Sequence, residues 1–130
     1  MIKFKSLNQS KEFLKILKKK KLNTKYFTIY FDKNSRNFKK DFNKCLNISF
    51  VTKKNIGNAV VRNKIKRKLK HAIQSISKEK QLIDLNYTYV ILGKNNVYKD
   101  KFANVLGEVN ETFKKIKQTA ARLWLLSIIY

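Results

Sequence analysis

The 130-residue sequence contains no proline and only three glycines, at positions 57, 93 and 107. So few chain-breaking residues leave no composition-marked linker or low-complexity arm, and the length is that of one domain. A single cysteine, Cys45, excludes a disulfide framework and points to a reducing compartment, so a cytoplasmic location is expected. One cysteine and one histidine, His71, cannot furnish a tetrahedral zinc site. A lone histidine also excludes a two-histidine acid–base ribonuclease. No apolar run is long enough to span a bilayer. The opening Met1-Ile2-Lys3-Phe4-Lys5 lacks the apolar core of a secretory signal, so none is expected. Acid is scarce as well: 8 Asp+Glu stand against 31 Lys+Arg.

What is present is cation and enough apolar material for a small core, with 43% hydrophobic residues. A net charge of +23 repels itself and destabilises a compact state. A polyanion that cancels it is the natural explanation, with nucleic acid or an anionic membrane first among candidates.

Apolar spacing predicts a helix from Ser10 to about Lys20, with Ser10 as N-cap and Phe13, Leu14 and Leu17 on one face. Tyr26 to Phe31 alternates as a strand does, its more polar face carrying Tyr26, Thr28 and Tyr30. Asp32 to Asp41 reads as a loop, and a further short strand fits between 38 and 45. Leu46 to Thr52 reads as a strand with Leu46, Ile48 and Phe50 on one face. After Gly57, Asn58 is placed to cap a helix whose apolar arc holds Val61, Ile65, Leu69, Ala72, Ile73 and Ile76. Tyr87 to Leu92 is the clearest strand. A helix from about Asp100 to Lys117 repeats Phe102, Val105, Leu106, Val109, Phe113 and Ile116 at helical spacing. The order α-β-β-α-β-α predicts an α/β sandwich, a mixed sheet of about four strands with three helices.

The middle helix is the most basic. Arg62, Lys66 and Lys70 are i, i+4 neighbours, Asn63 and Arg67 form a parallel row, and the five cover about 140° of arc. Stacked like charges oppose an isolated helix, so a bound partner would neutralise them. Charge alone does not separate this from a solvated face in a lysine-rich protein. Residue type does: of four arginines in the chain, Arg62 and Arg67 both lie here. Arginine brings a planar fork suited to phosphate and base edges, where lysine is a point charge.

The run Lys53-Lys54-Asn55-Ile56-Gly57-Asn58-Ala59-Val60-Val61-Arg62-Asn63-Lys64-Ile65-Lys66-Arg67 resembles the signature of the bacterial ribonuclease P protein component, a K-K-x-x-G-N-A-V-x-R-N-R-I-K-R type segment. Leu7 followed by Phe13 resembles that family's opening, Phe27 to Phe31 its first strand, Tyr87 to Lys94 its later strand, and 100–117 its last helix. The resemblance implies an accessory subunit of an RNA-based endoribonuclease, with no catalytic side chain and no metal ligand in the protein. In that family a catalytic RNA, using Mg2+, removes the 5′ leader of precursor tRNA, and the resemblance implies the same here. The implied fold is an α/β sandwich with a left-handed βαβ crossover, against the usual hand. The implied partners are ribonuclease P RNA and precursor tRNA, with no membrane and no obligate protein partner.

Carried over by position, Arg62, Asn63, Lys64, Lys66, Arg67 and Lys70 would contact the catalytic RNA, with Lys53, Lys54 and Asn58 where the helix begins. Phe13 and Tyr30 would face the leader, where base stacking contributes ~1–3 kcal/mol with little sequence preference. Packing in the core is the ordinary alternative for Phe13. The chain departs from the pattern at Lys64 (usually Arg), Leu17 (often Phe), Ser6 (usually Arg) and Ser49 (near a usual Gly), and Asn55 adds a residue before Gly57. His71 reads as a boundary residue and Cys45 as a small buried hydrophobe. Glu111 and Lys115 read as a surface pair, and Asp84 as a loop residue. The expected domain is 1–117, with 118–130 an apolar extension whose first assignment is packing within the molecule; a membrane surface or self-association are the alternatives. The alternative function is a structural RNA-binding module such as a small ribosomal protein.

Overall fold

A computed structural model describes residues 3–6, 10–33, 45–78 and 83–129, with side chains as far as Thr119 other than those of Lys3, Ser10 and Glu12. The elements are β1 (Lys3–Lys5), α1 (Ser10–Leu17), β2 (Lys20–Asn23), β3 (Phe27–Lys33), β4 (Cys45–Thr52), α2 (Ala59–Ser77), β5 (Tyr87–Gly93), α3 (Asn95–Lys99) and α4 (Phe102–Ile129). One mixed sheet has the order β1-β4-β5-β3-β2. β4 runs parallel to β1 and β5, and β3 antiparallel to β5 and β2. Because β4 and β5 are parallel neighbours, the chain needs a long crossover between them, and α2 supplies it.

Register decides which face is apolar. Ile29 and Phe50 both stand beside Ile91, and Phe31 and Ile48 beside Tyr89, so one face is apolar across the sheet. α2 lays Ile65, Leu69, Ala72, Ile73 and Ile76 on it, and α4 adds Val105, Val109, Phe113 and Ile116. Tyr89 meets Phe113 edge-on at 5.2 Å and donates its hydroxyl to the Asp84 carbonyl at 2.8 Å. Burial pushes the Tyr89 phenol well above its ordinary pKa. At the end of β5, Gly93 lets α2 approach: a Cβ there would lie 2.6 Å from Ile65 Cγ2.

The second face is more polar. Its rows run Lys21–Tyr30–Val90–Ser49 and Asn23–Thr28–Leu92–Val51. α1 packs against β2, β3 and β5 and buries Ile16, which like Val90 lies outside the main core, so α1 covers part of this second face.

Several expectations need correction. The sheet has five strands among the described residues, not about four. The first helix stops at Leu17, and Lys18 and Lys19 donate back to Lys15 and Ile16 in tightened turns. Lys20 to Asn23 then form a strand, because Leu22 reaches the core beside Ile29 and Thr24 folds the chain back by accepting from Phe27 N at 3.1 Å. Strand β3 begins at Phe27, so Tyr26 does not share a face with Thr28 and Tyr30. It is buried, and its hydroxyl donates to Asp100 Oδ2 at 2.5 Å. The last helix starts at Phe102 after the separate α3, and its backbone continues to Ile129. Cys45 opens β4 beside Lys3 and is only half-buried. Glu111 lies 4.0 Å from Lys114, not paired with Lys115. The Leu7 opening, the 34–41 part of the loop, positions 38–44 of the further strand, the Ser10 cap and the side chains of the 120–130 tail lie outside the described residues.

Candidate nucleic-acid interface

The basic helix starts from a defined cap. Asn58 is extended (φ −74°, ψ 174°), its Oδ1 accepts from Val61 N at 3.0 Å, and its carbonyl accepts from Arg62 N at 3.1 Å. A 3-10 turn at Lys54–Ile56, which includes Asn55, joins β4 to this cap. Lys53, Lys54 and Asn58 are all exposed.

Down the helix the cations divide into two sets. Taking 100° per residue, Lys64, Lys68 and His71 lie on the flank toward α3 and the start of α4. There Lys64 Nζ sits 5.9 Å from the Tyr98 ring centroid, Lys68 Nζ donates to the Asp100 carbonyl, and His71 stacks on Phe102 at 4.9 Å. The opposite flank carries Arg62, Lys66, Lys70 and Asn63, with Arg67 on the outer side of the helix between the two sets. Arg62 and Lys66 are half-buried, and Asn63, Arg67 and Lys70 are exposed. Among the described residues the ion pairs are Lys25–Asp100 and Lys114–Glu111, so none of the α2 cations sits in one, and only Lys68 feels the Asp100 carboxylate. Arg62 Nε is buried with no hydrogen-bond partner among them. A buried donor left unpaired costs ~1–3 kcal/mol, and among the described residues nothing offsets that cost at Nε.

Tyr30 is half-buried on the second sheet face, between Lys21 and Val90 in the register. Phe13 is half-buried on α1, which lies over that face, and is not part of the main core. Buried Thr28, Asn47, Ser49 and Thr88 surround the row, and Thr28 Oγ1 donates to Asn23 Oδ1 at 2.8 Å. The helix row and the sheet face thus lie on opposite sides of the sheet. Sequence reasoning missed Lys94, whose Nζ donates to Asn23 Oδ1 and to the Thr24 carbonyl, tying β5 to the β2–β3 turn. It also missed Tyr98, an exposed ring beside α2. No group of three or more His, Cys, Asp or Glu side chains is placed to hold a metal ion among the described residues.

These features define a small cationic α/β-sandwich protein with an acid-free basic helix laid across a mixed sheet. The sequence model of the family described as Ribonuclease P matches residues 1–117, and the chain belongs to that family. It is 28% identical over 120 residues to the ribonuclease P protein component of Carboxydothermus hydrogenoformans, covering 92% of this chain and 97% of that protein. It is 31% identical over 108 residues to the one from Mesoplasma florum, covering 82% and 90%. The fold is similar to that of the RNase P protein from Thermotoga maritima, with a TM-score of 0.63, 23% identity, and 85% and 96% of the two chains covered.

Proposed function

We propose that this chain is the protein subunit of ribonuclease P, holding the catalytic RNA on α2 while that RNA removes the 5′ leader of precursor tRNA. The carrying observation is the cationic surface of α2: Arg62, Lys66, Arg67 and Lys70 with Asn63, none of them in an ion pair among the described residues. Phosphates supply what that surface lacks, and arginine takes them bidentately. Lys53, Lys54 and the exposed edge of Asn58 extend the cationic track to the helix start. On the other side of the sheet, Tyr30 and Phe13 offer rings to successive leader bases, which suits a subunit that must accept many leaders. Lys64 is assigned to the same RNA surface from its other flank.

Mg2+ enters this reading with the catalytic RNA. We assign the chemistry to that RNA and its metal ions, with the protein as the binding subunit. Among the described residues no helix is long and apolar enough to cross a membrane. We place the subunit in the cytoplasm, where precursor tRNA is made in a bacterium, with no obligate protein partner.

The test is leader cleavage of a precursor tRNA at low magnesium, with protein alone, bacterial ribonuclease P RNA alone, and both together. Cleavage that needs both is expected. Binding of structured RNA without any stimulation of cleavage would move the chain to the structural RNA-binding modules.

A further inference from the structure

Among the described residues the large hydrophobic side chains left exposed are Leu14, Leu17, Val60 and Tyr98. Val60 and Tyr98 flank one residue. Val60, 61% exposed, precedes Lys64 by one helical turn and lies within about 20° of Arg67 on the outer side of α2. Tyr98, 44% exposed on α3, has Lys64 Nζ over its ring at 5.9 Å, inside cation–π reach. Lys99 and Lys101 beside Tyr98 are exposed. The nearest acid in sequence, Asp100, is engaged with Tyr26 and Lys25.

A phosphate backbone asks only for cations and donors, and an apolar strip inside a cationic surface adds nothing to its binding. A partner with a flat apolar face and an anion a few ångströms away uses both. A duplex hides its base faces, whereas an unpaired nucleotide shows one. The strip is two side chains wide, the scale of one base and too small for the apolar face of a membrane-surface helix. We propose that Val60, Lys64 and Tyr98 bind one unpaired nucleotide of the RNA held on α2, the base stacking on Tyr98 and the phosphate meeting Lys64. This rests on the reading of α2 as the RNA-binding helix, and it gives Lys64 a role separate from the Arg62–Lys66–Lys70 row.

The experiment measures affinity of the full chain for bacterial ribonuclease P RNA and for a fully paired RNA duplex, across a salt series. Tyr98→Ala is expected to weaken binding to the first by about 5- to 150-fold, the range of one lost base stack, with an unchanged salt slope. Tyr98→Phe keeps the ring and is expected to keep the affinity. Neither variant should alter duplex binding. Chemical probing should show one or two nucleotides protected by the wild-type chain and by Tyr98→Phe but open with Tyr98→Ala. Wild-type affinity in Tyr98→Ala, while Arg67→Ala is weakened, would overturn the strip and leave the helix reading standing. If Arg67→Ala also binds as wild type, both fall together. An equal loss of duplex and catalytic-RNA binding by Tyr98→Ala, with its melting temperature unchanged, would make the strip a backbone contact and overturn the nucleotide assignment.

Discussion

Asp100 joins three parts of the fold through two kinds of atom. Its carbonyl accepts from Lys68 on α2, and its Oδ2 accepts from the Tyr26 hydroxyl at 2.5 Å with Lys25 Nζ at 3.6 Å. The Tyr26 bond, helped by the neighbouring lysines, holds this carboxyl below its ordinary pKa, against the opposing effect of burial. The folded chain therefore takes up this proton less readily than the unfolded chain. The stability Asp100 contributes is present above the ordinary carboxylate pKa and is lost as pH falls through the folded one. Asp100→Asn should lower the urea midpoint near neutral pH, with the gap to wild type closing in acid; a gap independent of pH would assign the loss to packing alone. One turn of α2 also separates structural from available charge. Arg67→Ala should make the salt slope of RNA binding shallower by about one unit and leave the melting temperature near wild type, because Arg67 is exposed. An unchanged slope would remove Arg67 from the interface. Arg62 and Arg67 were legible in the sequence because arginine is rare in this chain. Tyr98 was not, since one tyrosine in a five-residue helix carries no periodicity.

The long amphipathic elements were readable and the short polar ones were not, for a physical reason. α2, α4 and β5 each bury several side chains at fixed spacing, so their pattern reports their environment. β2 is Lys-Lys-Leu-Asn at a sheet edge, where only Leu22 reaches the core, so nothing distinguished it from the end of a helix. β1 spans three residues and is defined by its pairing with β4, which sequence alone does not show. On the second sheet face the polar side chains of Thr28, Asn47, Ser49 and Thr88 are buried, which strand alternation alone does not show. Packing between elements gives a paired prediction. At Gly93 an added Cβ would meet Ile65 Cγ2 at 2.6 Å and Leu69 Cδ1 at 3.0 Å, so Gly93→Ala must push α2 off β5. Overpacking of this kind costs about 1–3 kcal/mol. Gly107 lies within α4 with nothing inside 4 Å of an added Cβ, so Gly107→Ala should stabilise by about 0.5–1 kcal/mol through backbone entropy. Melting temperatures moving in opposite directions would support both. A lowered value for Gly107→Ala would show that its outer surface is covered.

At the scale of the whole molecule, fold stability and the proposed RNA binding should respond to salt with opposite sign. The chain carries 31 Lys+Arg with only 8 Asp+Glu to offset them, a net +23, and the described ion pairs are two surface contacts, one at 3.6 Å and one at 4.0 Å. Exposed pairs of this kind contribute ~0–1 kcal/mol each and cannot balance the repulsion among the remaining cations. Salt shortens the range of that repulsion, to ~10 Å at 0.1 M, so the free protein should melt higher as sodium chloride rises. Bound RNA stabilises the folded state by mass action, but that stabilisation depends on counterion release and weakens as salt rises. The melting temperature of the complex should therefore start above that of the free protein, fall with salt, and meet the rising curve. Substituting Arg62, Lys66, Arg67 and Lys70 together by glutamine should flatten the falling limb more than the rising one. The free protein still carries most of its surplus, while the α2 surface has lost its ion-releasing row. A free-protein curve that is flat in salt would mean that packing of the sheet and its helices outweighs the charge, and would separate the basic composition from fold stability altogether.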